Sequence, residues 1–185
     1  MHRRTTILLL AVALLPLLGA CRGRGGGGAT AAGATTPVSR LSELLRRGAQ
    51  PGELTLAERA EVERLVTGLL PKLAGPLAGY EWRVAYDDLP VGDFVSVDLL
   101  QGSGEAAPRA IWFHLVWRGA LTAAERQAWG AQLGRFPARG VPGHHLFVRA
   151  GGVELRAVAE APAFRDDSRL RDLVGRFDLD ALARL

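Results

Sequence analysis

An α+β domain is what this 185-residue chain predicts, and three features of the sequence predict it. Apolar and polar residues alternate over 80–87, 94–99 and 111–117, and again on both sides of Gly151-Gly152, which is the period of half-buried strands. Two threonines, Thr55 and Thr122, each stand three places before a glutamate, Glu58 and Glu125, and this spacing opens helices through a reciprocal cap. Strands clustered between helical stretches suit an antiparallel sheet with helices packed on its apolar face.

Taken in order, Ser39 or Thr36 beside Pro37 starts a short helix carrying Leu41, Leu44 and Leu45, and Gly48 ends it. Thr55 caps a second helix in which Val62, Leu65, Val66, Leu69, Leu70 and Leu73 line one face, with Pro71 set to kink or stop it. Tyr80, Trp82, Val84 and Tyr86 then point one way along a strand, with Glu81, Arg83 and Asp87 opposite. In a hairpin that sets Tyr86 against Val95, Val84 faces Val97, Trp82 faces Leu99 and Arg83 lands on Asp98, so one register satisfies both faces. A third strand puts Ile111, Phe113, Leu115 and Trp117 on one side and Trp112, His114 and Val116 on the other.

Thr122 opens a third helix, in which Trp129, Leu133 and Phe136 are expected to share a face. Two glycines at 151–152 supply positive φ for a tight hairpin. Ala150, Val148 and Leu146 then meet Val153, Leu155 and Ala157, while Arg149 meets Glu154 on the far face. A last helix turns Leu170, Leu173, Val174 and Phe177 inward, with Asp167–Arg171 and Asp172–Arg176 as ion pairs four apart. The expected order is α-α-βββ-α-ββ-α around a mostly antiparallel five-stranded sheet, a layout similar to cystatin-like or NTF2-like curved sheets or to a ferredoxin-like layer.

The N-terminal segment speaks to location. Arg3 and Arg4 precede a 14-residue apolar run, Ile7 to Ala20, too short for a bilayer span and suited to the centre of an export signal. Leu18 is too bulky for an ordinary signal-peptidase cut after Ala20. Leu18-Gly19-Ala20-Cys21 resembles the lipobox of bacterial lipoproteins, in which the cysteine thiol takes a diacylglycerol, the signal is cut before it and the new amino group is acylated in turn. The resemblance implies a signal over 1–20, a lipid anchor on Cys21 and an exported product. Arg22, where Asp would retain an enteric-type lipoprotein at the inner membrane, implies the outer membrane facing the periplasm in a Gram-negative host; a Gram-positive host would keep it on its one membrane. Two or three acyl chains hold a protein on a membrane where one does not.

Residues 21–37 comprise Cys21 and a Gly/Ala/Thr tether. As a random coil this tether reaches about 20 to 24 Å, leaving 38–185 as a single domain. Removing Arg3 and Arg4 leaves 21 basic against 19 acidic residues, and from Gly25 the two balance, so the basic character belongs to the leader and tether and gives no ground for a nucleic-acid partner. Cys21 is the single cysteine, which leaves the domain without a disulfide.

No G-x-S-x-G, H-E-x-x-H, P-loop or paired-cysteine motif occurs. His144 and His145 near His114 invite a metal, but neighbours on a strand face opposite ways. Ser103, His114 and Asp98 can be drawn as a triad, although a glycine-rich loop explains Ser103 as well. Asp87-Asp88 and Asp166-Asp167 read as a hairpin loop and a helix start. No cofactor or metal is expected. What exceeds a plain solvated surface is the sheet face away from the core, where Phe94, Trp112, His114, Val116, His145, Phe147 and Val158 interleave with Ser96, Asp98, Arg149 and Arg156. Either the first or last helix covers this face, or a partner or ligand does, with Trp112 as the anchor. The expected function is a non-catalytic envelope lipoprotein binding another envelope protein. The alternative is a carrier or processor of a small apolar ligand between sheet and helices, with His114 and Asp98 as its polar groups.

Overall fold

The computed structural model describes residues 36–50, 52–87 and 94–185, with Phe94 described by its backbone alone. The leader, Cys21 and the tether to Thr35 lie outside these residues, as do Asp88 and the rest of the connection over 88–93.

Helix α1 (Pro37–Gly48) starts at the Thr36 cap, whose hydroxyl accepts from the Ser39 amide, with Pro37 as the first helical residue. Helix α2 (Leu56–Thr67) opens on the complete Thr55/Glu58 capping box. It stops four residues before Pro71, so Leu69, Leu70 and Leu73 reach the core from the irregular segment beyond. Arg47 of α1 bonds Glu58 of α2 at 2.7 Å. That guanidinium, followed by the Thr55 cap, holds the Glu58 carboxyl down at about 2.

Seven strands form one antiparallel sheet: β1 (Tyr80–Asp87), β2 (Phe94–Gln101), β3 (Arg109–Trp117), β4 (Ala131–Leu133), β5 (Phe136–Val141), β6 (His145–Ala150) and β7 (Val153–Ala159), ordered β1-β2-β3-β7-β6-β5-β4. Two meanders therefore meet along β3 and β7. The predicted β1–β2 register is found pair for pair, Arg83 opposite Asp98 included, and so is the β6–β7 register, with Arg149 opposite Glu154. The fold class is α+β as expected, but five strands become seven, and no split βαβ unit of the ferredoxin-like kind occurs among the described residues.

The two extra strands come from residues read as helix. Helix α3 (Ala123–Ala128) has the predicted Thr122/Glu125 box but ends after six residues. Leu133 and Phe136 instead face each other across a two-residue connection in which Gly134 takes φ +58°. Gly130 and Gly134 break the helical run, and the row of open hydrogen bonds along β6 gives the released segment a strand to pair with. The last predicted helix is likewise two: α4 (Asp167–Val174) closes at Gly175, and Asp178 caps α5 (Leu179–Ala183). Its Asp167–Arg171 pair forms at 2.7 Å.

The core lies between the helices and one sheet face. Val95, Val97, Leu99, Ile111, Phe113, Leu115, Leu146, Val148, Val153, Leu155 and Ala157 are buried there with Leu41, Leu44, Val62, Val66, Leu170, Leu173, Val174 and Leu182. Trp82 meets Phe113 and Phe177 edge-on at 5.7 and 5.9 Å, and its indole N–H donates to the Pro71 carbonyl at 2.9 Å.

The Gly151-Gly152 turn joins β6 to β7 as predicted, but only Gly151 has positive φ, +58°. Gly152 is needed for space, since a Cβ there meets the Trp117 ring at 2.6 Å. At Gly151 a Cβ meets the Ala183 carbonyl oxygen of α5 at 2.5 Å. Gly151→Ala is therefore expected to destabilise the domain by about 1–3 kcal/mol through backbone strain and crowding. Denaturant midpoints equal to wild type would contradict this packing of α5 on the turn.

Candidate functional site

Strand alternation assembles the far face of the sheet into cross-strand rows. One row runs Arg83, Asp98, Trp112, Val158, His145, Val141; the next runs Ala85, Ser96, His114, Arg156, Phe147, Arg139; a third sets Val116, Glu154 and Arg149 side by side. Five of the six nominated site residues that fall on this face, Asp98, Trp112, His114, His145 and Phe147, are thereby brought together. Phe94 stands in β2 opposite Asp87, with its side chain outside the described residues, as is Cys21.

Helices α1, α2, α4 and α5 all contribute to the core on the opposite side. Neither the first nor the last helix covers the far face. Among the described residues, what crosses it is the segment through Gly119 and α3 to Trp129, at the Glu154 end of the sheet. Trp129 was expected on a core-facing helix. It is instead buried outside the main core, with the guanidinium groups of Arg139 and Arg149 at 4.6 and 5.9 Å from its ring.

The remainder of the face is half-buried aromatic surface laced with cations. Arg109 lies 5.5 Å over Trp112, Arg139 and Arg156 flank Phe147 at 5.6 and 5.7 Å, and His145 stacks on Phe147 at 5.0 Å. Such contacts hold rings and cations in place while leaving both partly open to a ligand. Asp98, 6% exposed, bonds Arg83 at 2.7 Å and Arg109 at 3.4 Å, so its charge is neutralised where it is buried. Burial, and after it the charge of Asp98, pushes the neighbouring Asp87 carboxyl above its ordinary value, against a bond from Ser96.

His114 is 7% exposed and meets Trp112 edge to face. Burial, then the positive charge of Arg156, opposed by Asp98, pushes its imidazole from 6.5 down to about 4. Ser103, drawn as a triad with His114 and Asp98, sits instead in the exposed loop beyond the end of β2, the strand that carries Asp98. His145 lies two strands from His114 in the next row, about 12 Å away, and His144 is exposed in the turn before β6. No metal-binding group of three His, Cys, Asp or Glu side chains occurs among the described residues. Asp166 caps α4 through the Ser168 amide, as its reading as a helix start requires.

At the far end of the face, Glu154 is buried among guanidinium groups. Arg156 bonds it at 2.5 Å, and Arg139 and Arg118 stand at 3.8 and 3.9 Å. Its ladder partner Arg149, expected to pair with it, turns instead to donate to the Gly119 carbonyl. The sequence reading missed Trp129, Arg118 and Arg139 as members of this face. Gly130 and Gly134 were the signal that the helix ended and that Arg139 would fall on a strand.

Comparison with protein-family models, curated proteins and solved structures returns no match. Function is therefore read from the face itself.

The His114 shift carries a pH signature. Unfolded His114 binds a proton near pH 6.5 and the folded residue only near 4, so its contribution to stability is complete above about pH 6.5 and is lost as pH falls toward 4. The His114 ring resonances are expected to stay neutral at pH 5.5, and the melting temperature to drop less over pH 6.5–4.5 in His114→Gln than in wild type. Titration of the ring near pH 6.5 in the folded protein would contradict its burial beside Arg156.

Proposed function

We propose that this chain is an exported, lipid-anchored envelope protein that binds a partner protein through the far face of its sheet and performs no catalysis of its own. The observation that carries this is the half-buried row Trp112, Val158, His145, with Phe147 beside it, on a face from which the four core-packing helices are turned away. Apolar rings at that degree of exposure form the kind of patch that interfaces use, with an aromatic centre and arginine around it. Arg83, Arg139, Arg149 and Arg156 outnumber Asp98 and Glu154 across the same rows, so the partner surface is apolar at its centre and acidic at its rim. The lipid on Cys21 holds the domain beside the membrane, which in a Gram-negative host is the outer membrane seen from the periplasm, and the tether lets it search for that partner.

The alternative, a carrier of a small apolar ligand, draws on a hollow of about 360 Å³ bounded by Pro76, Leu77, Tyr80, Phe164, Leu173 and Arg176. Asp98 and His114, the polar groups expected in such a pocket, are on the other side of the sheet. The hollow thus lacks the two side chains that reading assigned to it.

Two variants test the proposal. Trp112→Ala, half-buried and outside the main core, is expected to keep the circular dichroism of wild type and to lose the envelope protein that crosslinks to the native domain. Crosslinking at wild-type yield would sink the interface. Cys21→Ser is expected to leave the membrane pellet, and a variant still sedimenting with vesicles would sink the anchor. A small molecule retained in native mass spectra would transfer support to the carrier reading.

A further inference from the structure

The Glu154 end of the far face, which shares Arg139 and Arg156 with the rim of the docking surface, forms a cleft of its own. Arg118, Arg139, Arg149 and Arg156 converge on a cleft of about 400 Å³ whose wall is Trp129. They come from β5, β6, β7 and the segment after β3. Two carboxylates share the cleft. Glu154 is enclosed and engaged by Arg156, while Glu125 is occupied with the amide and hydroxyl of Thr122 in the α3 cap. Four guanidinium groups against two carboxylates leave an excess of about two positive charges in a partly dry space.

Arg149 makes the imbalance specific. It is 4% exposed, one of its terminal nitrogens donates to Gly119, and its buried Nε–H has no acceptor. Burial pushes this guanidinium below its ordinary pKa, against the pull of Glu154. A buried charged donor left open is costly, and a bound anion is a partner that would satisfy it.

We propose that this cleft binds a phosphate-class oxyanion, with Arg149 and Arg156 as the fixed inner donors and Arg118 and Arg139 closing over it. Arg118 and Arg139 are 46% and 49% exposed and stand 3.9 and 3.8 Å from Glu154, with Arg139 also lying over Trp129 at 4.6 Å, so both guanidinium groups face the cleft from its open side. A planar carboxylate is satisfied by a single guanidinium fork, whereas donors approaching from three strands and a loop match the tetrahedral oxygens of a phosphate group. The group could be carried by a phospholipid headgroup or by a soluble phosphorylated molecule; the chemistry recognised is the same.

The test uses the purified full chain in neutral detergent, with thermal shift and calorimetry as readouts. The probes are inorganic pyrophosphate, dihexanoyl phosphatidylglycerol and an oligoglutamate peptide. A rise in melting temperature with either phosphate probe is expected, and the tighter of the two identifies the source as soluble or lipid. Arg118→Gln with Arg139→Gln is expected to weaken that binding about tenfold or more; because both cations also stand near Glu154, its binding is read by calorimetry at a temperature where circular dichroism shows the variant folded. Arg149→Gln serves as the inner-donor variant where it folds. Trp112→Ala is expected to bind the phosphate probe as wild type does, which separates this site from the docking surface. No shift with either phosphate probe, an equal shift with oligoglutamate, or full binding by the double variant would overturn the proposal.

Discussion

The pairing of β3 with β7 is the constraint from which the rest follows. Ile111–Trp117 and Val153–Ala159 are distant in sequence, and their antiparallel register joins two local meanders into a single sheet. That register lines Ile111, Phe113 and Leu115 up with Ala159, Ala157 and Leu155 on the core side. A slip by one residue would exchange the faces, placing Arg156 and Glu154 in the apolar layer. Every cross-strand row on the far side, from Arg83 to Val141 and from Ala85 to Arg139, runs through this seam.

The two faces are stabilised by different physics. On the core side, aliphatic and aromatic side chains bury against four helices, and the gain comes from area removed from water. On the far side, charge is compensated locally: Asp98 by Arg83 and Arg109, Glu154 by Arg156 with Arg118 and Arg139 nearby. Arginine stems and guanidinium planes cover Trp112, Phe147 and Trp129, so rings are shielded without a helix over them. A face built this way keeps rigid aromatic and cationic groups within reach of a ligand, which a hydrocarbon core cannot do.

Local registers were legible because short turns and strand alternation define them within a few residues. Tyr86 with Val95, Arg83 with Asp98 and Arg149 with Glu154 all fall on the pairs the sequence implies. The capping boxes at Thr55 and Thr122 were legible for the same reason, since each is closed inside one helical turn. The far face was legible as a set of residues, because alternation assigns a side once a strand is recognised. The stretch 129–141 was misread: Leu133 and Phe136 satisfy a helical spacing, and the choice of strand depends on the open edge of β6, which no local pattern records.

Sequence alone thus determined the α+β class, the β1–β2 and β6–β7 registers, the two capping boxes and most of the aromatic face, all of which rest on interactions between near neighbours or on period-two alternation. Tertiary structure decided that the sheet has seven strands, that the helices gather on one side, and that Trp129 and Arg139 join Arg118, Arg149 and Arg156 around Glu154. The physical reason is that these depend on which distant edges find each other. A buried charge is stable or costly according to partners supplied by other strands, and those partners are fixed only when the two meanders close along β3 and β7.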